Sequence, residues 1–108
     1  MNSRFDRIMH SVGLPALFAA FGEPARLLRM DGTLAVMQVM LRQRFTPDEV
    51  EGLHVGIGDG IAEFRVSDLD DDRPLTRGDI VQIAAVDWTV QRLLSHDGLT
   101  AGYLVRRS

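Results

Sequence analysis

The chain has 108 residues, 45% of them apolar, and a formal net charge of -3, which fits one domain with a modest core and leaves no room for a second. It contains no cysteine and no lysine, so disulfides, thiolate nucleophiles and cysteine-held zinc are excluded, and every fixed cation is a guanidinium, a rigid bidentate donor suited to protein interfaces. The longest apolar stretches, such as 14–21, fall far short of a bilayer span, and Met1 leads into Arg4, Asp6 and Arg7 without an apolar signal core, so synthesis and residence in a cytoplasm are expected, with no membrane partner.

Charge is unevenly distributed. Residues 1–46 carry six Arg against Asp6, Glu23 and Asp31; residues 47–79 carry ten acids against Arg65, Arg73 and Arg77. Such asymmetry can steer complementary faces of a ring-forming or stacking protein together, or can simply be a solvated acidic face. An acidic centre without a dense basic patch makes nucleic acid an unfavourable partner.

At the amino end Phe5, Ile8, Met9 and Val12 form one helical stripe, with Asn2 or Ser3 available as N-cap. Gly13 interrupts it, and Pro15 can open a second short helix that carries Leu17, Phe18 and Phe21 to a stop at Gly22. Residues 1–22 are therefore expected as a helical segment ahead of a β domain over 23–108. The β texture begins with Ala25 to Met30 and continues from Thr33 to Leu41; Asp31-Gly32 between them reads as a hairpin turn in which both residues tolerate positive φ. Arg42 to Gly60 is expected as a long polar loop, with one helical turn at Pro47 to Val50. Ala62, Phe64 and Val66 alternate with polar residues as a half-buried strand does. A charged connection follows, then Ile80 to Ile83, a turn at Ala84-Ala85, and an alternating run through Val86, Trp88 and Val90. His96-Asp97-Gly98 marks a last hairpin into Ala101, Tyr103 and Val105. The pattern predicts a mainly β fold, a small antiparallel barrel or sandwich of about six strands preceded by one or two short helices.

No residues assemble into a recognisable catalytic set. Gly56 to Gly60 lacks the helix and the Lys that a phosphate loop needs. His10, His54 and His96 show no metal-ligand spacing. Ser95, His96 and Asp97 name triad residue types, but neighbours in one turn cannot converge. Asp70, Asp71 and Asp72 lack the alternating pattern of a calcium loop. Trp88, on an alternating strand, reads as a core anchor. Arg77-Gly78-Asp79 matches an adhesion tripeptide, yet Ile80, Val81 and Ile83 follow at once, so the reading is a turn feeding a strand, with Asp79 accepting bonds from nearby N–H groups. No enzyme activity, cofactor or metal is expected.

From Leu75 to Arg107 the chain resembles the lambdoid phage head-tail joining, or tail attachment, protein family. The resemblance rests on Leu75, Gly78, Asp79, Val81, Ile83, Trp88, Val90, Arg92, Asp97, Gly98, Tyr103 and Leu104, and departs from the family at Ala84-Ala85-Val86, where a glycine is usual. It implies a compact β-barrel-like fold and a structural role in the virion: a protein made in the bacterial host that docks on the connector beneath the capsid, meets the tail, and forms a ring on assembly while able to be monomeric beforehand. It maps no binding residues onto this chain. Loop length and charge instead nominate Arg42, Arg44, Asp48, Glu49 and His54 in the long loop, and Asp70, Asp71, Asp72 and Arg73, as interface residues. The alternative reading is a small barrel that binds a small ligand or single-stranded nucleic acid.

Overall fold

The computed structural model describes residues 14–43, 58–69 and 73–108. Helix α1 (Leu14–Phe21) is followed by strands β1 (Glu23–Leu28), β2 (Leu34–Arg42), β3 (Asp59–Arg65), β4 (Ile80–Ile83), β5 (Val86–His96) and β6 (Thr100–Arg107), with a 3-10 turn at Val66–Asp68. All strand pairs are antiparallel and close a barrel in the order β1-β2-β3-β6-β5-β4. The expected amino-terminal stripe of Phe5, Ile8, Met9 and Val12 and the turn at Pro47 to Val50 lie outside the described residues.

Alternation in the sequence becomes alternation between interior and exterior. Ala25 and Leu27, Met37 and Val39, Ala62 and Phe64, Val81 and Ile83, Trp88 and Val90, and Ala101, Tyr103 and Val105 fill the barrel, and Leu69 and Leu75 join them from the connections. Phe64 and Tyr103 meet edge to face, with centroids 5.8 Å apart, the arrangement their ring quadrupoles favour. The Tyr103 hydroxyl accepts the buried Leu75 N–H at 3.0 Å, so a large aromatic core side chain also satisfies a backbone donor that burial would otherwise leave costly. Burial pushes the Tyr103 phenol pKa up.

Three turn expectations meet different outcomes. At the first hairpin only Gly32 has positive φ, 88°, and Asp31 does not. Gly32 N–H bonds to Arg29 and Arg29 N–H bonds to Thr33; this is a three-residue loop ending in a left-handed glycine, not a two-residue turn. At Ala84-Ala85 both residues are left-handed, with φ of 51° and 64°, and Ile83 pairs directly with Val86. That is a two-residue hairpin built without glycine. At 97–99 the Asp97 carboxylate accepts the N–H groups of Leu99 and Thr100 at 2.9 and 2.7 Å, which fixes the tip beside Gly98.

The long connection is shorter than expected at both ends. Arg42 pairs with Ile61 and Asp59 pairs with Arg106, so Arg42, Asp59 and Gly60 are strand residues; cross-strand partners extend the ladders past the point where local polarity points to a loop. The α1 stripe is also narrower. Phe18 is fully buried beneath the Arg65 guanidinium, 5.5 Å from its ring centroid, but Phe21 is 71% exposed. The helix ends at Gly22, whose N–H bonds to the Phe18 carbonyl at 2.7 Å, so Phe21 projects from the last turn with no barrel beneath it. The Leu17 side chain lies outside the described residues.

Candidate docking site

One end of the barrel carries a polar clasp between the β1–β2 hairpin and the segment that leads into β4. Ala25, Leu27 and Arg29 share the inward parity of β1, and Arg29 is buried as that parity requires. Its guanidinium donates to the carbonyls of Arg73 and Pro74 at 3.0 and 3.1 Å. Asp79, also buried, accepts the N–H groups of Met30 and Thr76, each at 2.8 Å, and the Thr76 hydroxyl at 3.2 Å. Gly78 makes the turn with φ 100°, a conformation open to glycine, and a Cβ there would stand 3.0 Å from the Met30 sulfur. Arg77-Gly78-Asp79 is thus a turn whose acid faces inward, not a displayed tripeptide.

Two half-exposed charges complete the clasp. Arg73 donates to Asp31 at 3.0 Å. Hydrogen bonds from the Thr33 hydroxyl and N–H, reinforced by Arg73, hold the Asp31 carboxyl well below the usual carboxylate range. Met30, Asp31, Arg73, Pro74 and Thr76 border an open cleft of about 370 Å³ with Arg29 and Asp79 in its wall.

At the other end Arg42 donates to Glu63 at 3.2 Å. Asp59, buried, takes two bonds from its cross-strand partner Arg106 at 2.9 and 3.3 Å, and that carboxylate raises the Arg106 pKa. A buried acid with a bidentate guanidinium partner fixes the end of β3. Gly58 ends the long connection here, its carbonyl accepting the Arg107 N–H at 2.9 Å.

Of the nominated interface residues, Arg42 and Arg73 are described; Arg44, Asp48, Glu49, His54, Asp70, Asp71 and Asp72 lie outside the described residues. The structure does not bring Arg42 and Arg73 together. β2 runs from the hairpin end, where Arg73 meets Asp31, to the end where Arg42 meets Glu63, and its nine residues span roughly 26 Å at strand rise. The two charged connections therefore join the barrel at opposite ends. Sequence reasoning missed Arg29 and Asp59, although the parity of Arg29 with Ala25 and Leu27 was a usable signal.

Elsewhere the polar residues serve their own turns. His96 Nδ1 accepts the Gly98 N–H at 3.1 Å, and Asp97 caps the same loop, so Ser95, His96 and Asp97 do not converge. Among the described residues no three His, Asp or Glu side chains gather to hold a metal, and no helix is long and apolar enough to cross a membrane. Trp88, Tyr103, Phe64 and Phe18 are buried and offer no stacking face to a base. What the barrel presents is two loop-bearing ends on a filled interior.

The family model for the phage head-tail attachment protein matches residues 1–106. The chain belongs to that family. It is a structural protein family, and the closed six-stranded barrel is the scaffold this member of it uses. No curated protein matches the sequence significantly.

Proposed function

We propose that this head-tail attachment family member joins a phage capsid connector to the tail by protein–protein docking, as a component of the virion made in the host cytoplasm. One observation supports the reading above all: the charged connections join opposite ends of one closed barrel, as a joint between two neighbours needs. Arg42, Arg44, Asp48, Glu49 and His54 serve one end. Asp70, Asp71, Asp72 and Arg73 serve the other. Copies arranged as a ring around the connector axis multiply modest contacts into a firm joint, so no single interface has to be tight and the free protein can be monomeric. Binding alone does the work, with no cofactor and no nucleic acid.

The test uses purified full chain, filled heads that lack it, and tails. Reversing Asp70, Asp71 and Asp72 to Arg is expected to abolish binding to one of the two particles and spare the other. Arg42→Glu with Arg44→Glu is expected to do the converse, and either set lowers the yield of joined phage at least tenfold. Normal joining with both sets of reversals would remove these connections from the interface.

A further inference from the structure

The outward side chains of β1, β2 and β4 form one continuous surface. Register places Val36 beside Arg26 and Arg26 beside Gln82; in the next row Leu34 stands beside Leu28 and Leu28 beside Ile80. Val36 is 75% exposed, Leu34 58% and Leu28 44%. Together they present apolar area on the order of 300 Å², the size at which a patch on a monomer is often functional. Arg26 stands in the middle, between shallow clefts of about 200 and 220 Å³ that it helps to line. Among the described residues it has no ion pair and no hydrogen-bonding partner. Asp87, in the wall of the second cleft, accepts a hydrogen bond from Gln82 at 3.1 Å and forms no ion pair with Arg26, so a guanidinium bordered by Val36, Leu28 and Leu34 is left without a carboxylate partner, half of an interface.

The other half is on the same chain. Phe21 projects from the end of α1, and Glu23, two residues on, is exposed and has no ion-pair or hydrogen-bonding partner among the described residues. An exposed ring beside an unpaired carboxylate complements an apolar face around an unpaired guanidinium in polarity and charge. We propose that the β1–β2–β4 face of one copy receives the Phe21–Glu23 corner of a second copy. Phe21 enters the aliphatic surface at Val36 and Leu34, and the Glu23 carboxylate meets Arg26. The contact rests on the self-association proposed above and assigns it residues. Its area is well below the roughly 800 Å² that each partner commits to a standard stable interface, so it is weak between free monomers and is consolidated when copies are held side by side.

Sedimentation equilibrium of the full chain from micromolar to millimolar concentration tests the contact. Weak association is expected. Arg26→Glu and Glu23→Arg should each weaken it at least tenfold, by setting like charges together. The double variant, and an equimolar mixture of the two single variants, should restore it, because the opposite charges then meet again; a merely structural role would not be rescued. Because the chain has no cysteine, Val36→Cys and Phe21→Cys on separately tagged copies give a second readout, a disulfide between copies that Leu99→Cys should not form with either. Association that is indifferent to both reversals would overturn this face and leave self-association standing. A wild-type chain monomeric throughout, with no cross-link, would overturn this contact, while the ring, which forms on the connector, is read separately by the joining assay above.

Discussion

The hairpin between β4 and β5 stores strain that a single substitution should release. Only Ala84 and Ala85 lie between the paired residues Ile83 and Val86, and both are left-handed, the type I′ geometry that Asn-Gly adopts most easily. An alanine in this region costs about 1–2 kcal/mol because its Cβ crowds the following carbonyl. Ala85→Gly removes that term at the second turn position and gives back roughly 0.4–1 kcal/mol, since an unfolded glycine has more freedom to lose. The net gain is about 0.5–1 kcal/mol, a rise in Tm of about 2–6 °C for a domain of this size. Thermal and urea unfolding followed by circular dichroism measure it, with an unchanged urea slope confirming a stability effect. Ala35→Gly, in β2 where φ is negative, serves as the control and should lower stability by roughly 0.5–1 kcal/mol, as glycine in a strand does. A fall in Tm for Ala85→Gly comparable to that of Ala35→Gly would show that the turn is not left-handed and that the strain argument is wrong.

Other consequences are as direct. Asp79→Ala leaves the N–H groups of Met30 and Thr76 without their acceptor and should cost about 2–4 kcal/mol in urea unfolding, at 1–3 kcal/mol for each donor left buried and unpaired; Asp79→Asn should cost less. Tyr103→Phe keeps the ring against Phe64 but strands the Leu75 N–H, so a loss of about 1–3 kcal/mol without a change of fold is expected, read by unfolding and by the amide spectrum. Gly22→Ala would drive a Cβ into the Phe18 carbonyl and should loosen α1 from the barrel, seen as faster amide exchange at Phe18 to Gly22. Asp31 titrates below its ordinary value in the folded state, so between those two values the unfolded chain binds more protons. Its contribution is present above the ordinary carboxylate pKa and is lost as pH falls through the depressed one. Asp31→Asn should therefore flatten the acid limb of stability against pH.

The interface nominations show how far local sequence reaches. Arg73 and the acids before it announce a charged connection, and that connection exists at Arg73. Arg42 looks like the start of a loop because Gln43 and Arg44 follow it, yet it pairs with Ile61, a partner nineteen residues away that no local pattern names. Arg29 directly follows β1 with the parity of its core residues, but its acceptors are carbonyls of residues 73 and 74. Phe21 fits the helical stripe, but a helix that ends at Gly22 leaves no surface beneath it.

What the sequence determined alone was the period-two alternation of the strands, the places where glycine and aspartate turn the chain, and hence a mainly β domain with a short helix before it. These are local: pleating sets side-chain direction, and turn residues are chosen by φ over two or three positions. The tertiary structure decided the order β1-β2-β3-β6-β5-β4, the burial of Arg29 and Asp59, and the placement of the two charged connections at opposite ends. The same alternation satisfies several strand orders, and only the pairing of distant edges, where every backbone donor must find an acceptor, selects one.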